Sequence, residues 1–313
     1  MVPTLPGPGR CPSGSSAGTC VEPRHHMSSA LRPRPIRLTT RDQSLLKALS
    51  SYRLLSIRQL ATLFFRGSTS AASTRLRRLL SHRLVVRVHA PVRAGTGSCV
   101  YGLSARGSHL LSRQFATRRP RFLREHEARS GLFLDHTLRR NDLRICLELV
   151  DEGTPGLNLA SWMQEVPDVK TVVKLPLPRR RVARIPLVPD GFFTLQTTCA
   201  YESFVVEVDM GTVRPARMAL RYRAYWHWWQ RRGHRKQFGP APLRVLTLTT
   251  NARRLEQLHK LASQAPGQKG RQTRLFWFAL LDQVDIERPE RLLEACWSVS
   301  CRPIAQRTTL INP

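Results

Sequence analysis

Residues 40–115 are divided by their own punctuation into short elements, and the order of those elements leaves few folds open. Thr40 is placed to cap a helix over 41–52 that turns Leu45, Leu46 and Leu49 to one face. Ser56 is placed to cap a second helix running to Phe65, with Ile57, Leu60 and Leu63 inward, and Gly67 and Ser68 supply the next turn. A third helix is predicted over 70–83. Its core stripe is Ala72, Leu76, Leu79, Leu80 and the aliphatic stem of Arg83. Its other face holds Ala71, Thr74, Arg78 and Ser81, flanked by Ser70, Arg75 and Arg77. Strands over 84–89 and 99–103 bracket PVRAGTGS, a basic, Gly-rich hairpin tip, and a closing helix starts at Ser104. Three helices and a hairpin joined by short loops predict a winged helix-turn-helix over 38–116, its third helix in the major groove and its wing on the backbone. Ser70, Thr74, Arg75, Arg77, Arg78 and Arg93 are therefore the candidate DNA-contacting residues, because hydroxyls and guanidinium groups donate to phosphates and guanine edges.

Charge agrees with that expectation. The chain carries 51 Lys+Arg against 21 Asp+Glu, a net +30. Residues 28–130 hold 21 of these bases and only three acids, Asp42, Glu125 and Glu127, a net +18. Residues 131–313 hold 28 bases and 17 acids, a net +11. A high-GC genome accounts for Arg outnumbering Lys, but not for the shortage of acids. Double-stranded DNA is the expected partner. The shift in composition near Arg129 places a boundary there, with 117–130 as a basic linker. Residues 1–37 read as a disordered Pro/Gly/Ser-rich tail in which Met27 offers a second start beside Met1, and 286–313 as a C-terminal tail. The apolar fraction of 41% excludes wholesale disorder. Apolar runs fall well short of the roughly 20 residues a spanning helix needs, and no signal-peptide core is present, so a cytoplasmic protein without membrane contact is expected. Seven cysteines without a CxxC pair suggest neither a zinc site nor a disulfide framework.

Residues 131–285 read as a second domain. A long apolar-periodic helix to about Glu152 is followed by a strand over 157–166 and a basic, Pro-rich stretch over 170–186. PDGFFTLQT then begins a strand at Asp190, and YESFVVEVD forms a buried strand that carries Glu207 and Asp209. A helix over 214–232, a strand over 243–250, a helix over 251–262 and a strand over 274–281 complete the order. Carboxylates on neighbouring strands can hold Mg²⁺, which activates water and stabilises a leaving oxygen. This arrangement resembles the PD-(D/E)xK nuclease superfamily, so the expected fold class is α+β or α/β, a winged helix followed by a restriction-endonuclease-like domain. Those enzymes carry Lys two residues after the second acid, where this chain has Asp209. Two readings stay open. Asp190, Glu207 and Asp209 form the catalytic metal set of a Mg²⁺-dependent endonuclease, or the domain is a scaffold that does not cut. In the second, Asp190 is a turn residue and Glu207 and Asp209 cap a strand end. Arg217 or Arg221 is placed to replace the missing cation. A winged-helix transcriptional regulator is a third reading.

The blocks LTTRDQSLLKALSSYRLLSIRQLATLFF, TRLRRLLSHRLVVRV, YGLSARG, HTLRRNDLRICLEL and PDGFF…FVVEVDMGT with ALRYRAY resemble the replication-relaxation proteins of plasmids and other mobile elements in Gram-positive bacteria. The resemblance implies a role in plasmid replication, relaxed topology or mobilisation, with other replication or mobilisation proteins as partners; a homodimer stays open. It singles out His136, Asn141, Asp142, Asp190, Glu207, Asp209 and Tyr222. The His136, Asn141 and Asp142 segment either turns a carboxylate toward the Asp190 cluster or packs helix against strand through a buried His136, and Glu148 either adds an acid there or faces solvent. RYRAYWHWWQRR stacks single-stranded bases, sits in a membrane interface or forms core, and aromatics all round the helix favour core. No Walker A, dinucleotide-binding or GxSxG motif occurs, so nucleotide hydrolysis and esterase chemistry have no support.

Overall fold

The computed structural model describes residues 36–89, 99–115, 122–123, 131–164, 170–176, 181–266 and 274–311. It is a mixed α+β fold. α1 (Thr40–Tyr52) opens one residue earlier than expected, because Thr39 rather than Thr40 forms the capping box: Asp42 N–H donates to Thr39 Oγ1 and Thr39 N–H returns to the Asp42 carboxylate at 2.7 Å. β1 (Leu54–Ser56) follows, three residues too short to show alternation in the sequence. Ser56 also caps α2 (Ile57–Phe64) in a second box closed by Gln59. Gly67, at φ 81°, ends α2 by donating back to the Ala61 carbonyl, a left-handed position that suits glycine. Ser68 caps α3 (Thr69–Ser81). That helix stops before Arg83, which turns left-handed at φ 56° and is exposed, so its stem does not join the core as the periodicity suggested.

β2 (Val85–His89) and β3 (Cys99–Leu103) complete an antiparallel sheet in the order β1-β3-β2, and α4 (Ala105–Phe115) closes the group. The hairpin tip with Arg93, and all of the 117–130 linker except Phe122 and Leu123, lie outside the described residues. Phe122 and Leu123 return to this sheet. Leu123 donates to Leu103 O and packs so closely over Gly102 that any Cβ there would meet it at 2.7 Å.

α5 (Gly131–Gly153) leads into a seven-stranded sheet in the order β12-β11-β10-β9-β8-β7-β4. These strands are β4 (Asn158–Met163), β7 (Gly191–Gln196), β8 (Tyr201–Asp209), β9 (Leu243–Thr249), β10 (Phe276–Leu280), β11 (Trp297–Val299) and β12 (Arg307–Thr308). β8, β9 and β10 run parallel at the centre and the other pairings are antiparallel. Two sequence expectations shift here. The basic, Pro-rich stretch forms a hairpin of β5 (Thr171–Pro176) and β6 (Val182–Leu187). Residues after 285, read as a tail, supply β11 and β12, with Trp297 and Val299 fully buried.

Side chains alternate across β8 and divide the core in two. Phe204, Val206 and Val208 face α5 together with Leu246 and Leu248. Val205 and Val245 face α6 (Pro215–Gln230) and α8 (Ala252–Ser263), against Met218, Tyr222, Tyr225, Leu255 and Leu258. A short α7 (Gly233–Phe238) follows α6. α5 is covered on its other side by the first group of elements: Leu134 packs with Leu54 and Val100, and Asn141 Nδ2 donates to Leu54 O at 2.6 Å and to Tyr52 O at 3.3 Å. Among the described residues, no helix is long and apolar enough to cross a membrane.

Candidate functional site

α3 presents two different faces. Ala72, Leu76 and Leu79 are buried beneath it, while Ser70, Ala71, Thr74, Arg77, Arg78 and Ser81 are exposed. Ser81 donates to Arg78 O, and Arg77 Nη2 donates to Thr74 Oγ1 at 3.3 Å, so the Arg77 guanidinium lies beside a hydroxyl of the same face. Among the described residues neither Arg77 nor Arg78 pairs with a carboxylate.

Arg75 departs from the expectation. Seen down the helix it lies beside Ala72 and Leu79, on the edge of the buried stripe. Its guanidinium turns inward to Asp42 of α1, with Nε 2.7 Å from Oδ1 and Nη2 on Oδ2, and it also reaches Arg37 O. Asp42 is wholly buried. Burial alone would raise its pKa, but the bonds from Arg75 and Thr39 outweigh that and hold the carboxyl below its ordinary range. Arg75 therefore ties α3 to α1 and does not stand with Arg77 and Arg78 on the exposed face, where the sequence placed it.

The second candidate group lies at the carboxyl end of β8. Asp190 sits in the turn before β7, where Oδ2 accepts the Val208 N–H at 2.7 Å and meets His136 Nε2 of α5 at 3.2 Å. Burial lowers the His136 pKa, but the bond and charge of Asp190 overcome it and leave it raised. Glu207, 2% exposed, accepts from Arg221 Nη1 at 2.7 Å and from the Tyr225 hydroxyl, both on α6. Burial pushes its pKa up, opposed by Arg221 and reinforced by the negative Asp190. Asp209 is gripped by Arg254 of α8, at 2.7 Å and 3.1 Å, and by Thr249 Oγ1 at 3.1 Å.

The three acids do not converge as the metal reading requires. Glu207 and Asp209 point to the same side of β8, but alternate strand positions stand roughly 6–7 Å apart, and each is drawn to a cation on a different helix. Among the described residues no three His, Cys, Asp or Glu side chains come together to hold a metal ion. Mg²⁺ takes several oxygen ligands in a tight octahedron, and here guanidinium, imidazole, phenol and amide donors occupy those oxygens. The residues present do not fit it.

The remaining candidates separate in the same way. Asp142 turns away from Asp190 toward α2, where Gln59 Nε2 donates to it at 2.7 Å. Burial pushes its pKa up to about 6, against that bond and the nearby Arg139. Glu148 neither joins the cluster nor stands free in solvent: it pairs with Arg144 at 2.8 Å and accepts from the Tyr52 hydroxyl. Arg221, rather than the exposed Arg217, supplies the cation beside Glu207. Tyr222 is fully buried, 3.3 Å from Thr247 Oγ1, with its ring edge-on to Phe276 and Phe278. Tyr225, Trp226 and Trp228 are buried alongside it, so most of the aromatic helix is core. Arg254 and Gln59 were missed in the sequence, because their partners lie 45 and 83 residues away.

The family model described as Replication-relaxation matches residues 46–242, well over half of the chain. No curated protein and no solved structure matches it.

Proposed function

The chain belongs to the replication-relaxation family, and on that premise we propose that it is a double-stranded DNA-binding protein acting in plasmid or mobile-element replication, relaxation or mobilisation. The observation that carries the reading is the exposed face of α3, where Ser70, Thr74, Arg77 and Arg78 stand together without a carboxylate partner among the described residues. α1, α2, α3 and the β2–β3 hairpin then act as a winged helix, with α3 in the major groove. Hydroxyls and guanidinium groups on such a helix position it on phosphates and read guanine edges.

The β-sheet domain in this reading is a nuclease-like scaffold that does not cut. Its support is the pairing of Asp190 with His136, Glu207 with Arg221 and Asp209 with Arg254, which leaves each of the three acids engaged by a side chain of the protein itself. The three links tie β8 and its neighbouring turn to α5, α6 and α8, so the cluster works as a brace.

The test is binding of the full chain to a labelled duplex by fluorescence anisotropy across a salt series. Affinity falls as salt rises, because binding releases condensed counterions. The Arg77→Ala/Arg78→Ala variant binds more weakly, with a slope of log affinity against log salt shallower by about 2 if both contact phosphate. Unchanged affinity and slope in that variant would refute α3 as the DNA-contacting helix.

A further inference from the structure

The strongest feature outside these two groups is a cavity at the other end of β9 from Thr249. It has a volume of about 500 Å³ and lies between the end of α6, α7 and the starts of β9 and β10. Four arginines line it, Arg232, Arg235, Arg244 and Arg274, together with Trp229 and His234.

The four arginines are not equivalent. Arg244 is 9% exposed and fully engaged: it bonds Glu202 and Leu310 O at 2.6 Å and lies 4.6 Å over the Trp277 ring. Its charge is met by the Glu202 carboxylate at 2.6 Å. Arg232, Arg235 and Arg274 are exposed and make no ion pair among the described residues. Three arginines without an ion pair among the described residues therefore line one concavity. Such a lining favours an anion, and guanidinium forks suit phosphate oxygens in particular.

The other wall is aromatic. Trp229 is only half-buried and stacks on His234 at 6.5 Å, with the ring planes 10° apart. His234 is 5% exposed and its Nδ1 has no hydrogen-bond partner among the described residues. Burial lowers its pKa, helped by Arg235, so the ring is neutral and one nitrogen can accept. The geometry is also fixed in advance. Arg232 breaks the chain between α6 and α7 at φ 55°, and Gly233 follows with Trp228 so close that a Cβ would meet the indole at 2.3 Å. The turn that presents Arg232, His234 and Arg235 is thus set by packing, without a ligand.

We propose that this cavity binds a nucleotide, its phosphate held by Arg232, Arg235 and Arg274 and its base laid against Trp229 and His234. A volume of this size is within the range of small-molecule sites, and stacked aromatics beside arginines are the chemistry by which proteins hold unpaired bases. The ligand has two sources, a free mononucleotide or one unpaired nucleotide of a single strand, and the site is independent of the α3 face.

The experiment uses the full chain with three probes: fluorescein-labelled oligo(dT), dAMP and inorganic pyrophosphate. Oligo(dT) or dAMP binds, and Arg235→Ala and Arg274→Ala each weaken that binding about tenfold or more, while affinity for the labelled duplex stays the same. Trp229→Phe keeps a ring in the wall and weakens binding less than Trp229→Ala. Binding of dAMP that competes with oligo(dT) assigns the site to a nucleotide from either source, and binding of oligo(dT) alone assigns it to a strand. The proposal is overturned if neither binds. It is also overturned if pyrophosphate binds as tightly as dAMP, or if the arginine variants weaken single strand and duplex equally.

Discussion

Replacing Arg75 by Ala separates the DNA-contacting role expected of that residue from the bracing role its bonds to Asp42 point to. The mutation leaves Asp42, wholly buried, without its two charge-assisted bonds. The Thr39 N–H and Oγ1 remain, each 2.7 Å from Oδ2, so the carboxylate is not stripped completely. Breaking one partner of a buried pair costs about 3–5 kcal/mol, and with Thr39 retained the expectation is the lower end, about 3 kcal/mol. The assay is urea unfolding of the full chain by circular dichroism at neutral pH, beside Arg77→Ala, whose exposed side chain should change stability by less than about 0.5 kcal/mol. The double variant Asp42→Asn/Arg75→Met should recover most of the loss, because it removes both charges together. The pH dependence has a fixed sign. The Asp42 pKa is lowered in the fold, so its contribution is present above the unfolded value near 3.8 and is lost as pH falls through the folded value. The gap between wild type and Arg75→Ala therefore closes in acid. An Arg75→Ala protein as stable as Arg77→Ala at pH 7 would refute the inward placement of the guanidinium.

Two further outcomes are expected. Asp142 has its pKa raised from 3.8 to about 6 by burial, so wild type loses stability as pH rises from about 4 to about 6. Asp142→Asn keeps an acceptor for Gln59, removes the Asp142 share of that slope while the share of the buried Glu207 remains, and stabilises the protein above pH 7 by up to roughly 3 kcal/mol; a variant whose slope between pH 4 and 7 equals that of wild type refutes the raised Asp142. Supercoiled plasmid incubated with the protein and Mg²⁺ or Mn²⁺ stays supercoiled, as it does with Asp190→Ala; metal-dependent nicking that disappears in the variant overturns the scaffold reading.

What the sequence revealed and what it hid differ by range. Elements set by local chemistry were readable: Ser56 announces α2, and the cysteine-to-leucine strand at 99–103 forms after the Gly-rich hairpin tip as expected. β1 was hidden because three buried residues have no period, and β11 and β12 because two- and three-residue strands exist only by pairing, β11 with β10 and β12 with β11. The candidate site shows the same division. Periodicity gave the exposed side of α3, apart from Arg75, whose helical angle is ambiguous until Asp42, 33 residues earlier, draws it inward. The period of two along β8 put Glu207 and Asp209 on one side, yet a metal site depends on what faces them. Those partners come from α6 and α8, 14 and 45 residues further on, and they are arginines.

The way α5 is shared bears on how such a chain can be divided or recombined. Asn141, in the middle of that helix, meets the carbonyls of Tyr52 and Leu54, and Leu134 fills the apolar gap beside Leu54 and Val100. The change of charge near Arg129 looks like a seam, but the atoms that finish the first half are supplied after it. Residues 36–115 grafted onto another protein would arrive with two carbonyls short of a donor and an apolar patch without its lid. Inheritance should therefore keep them joined to α5, and a recombination point tolerated by the fold lies after Gly153 rather than before Gly131.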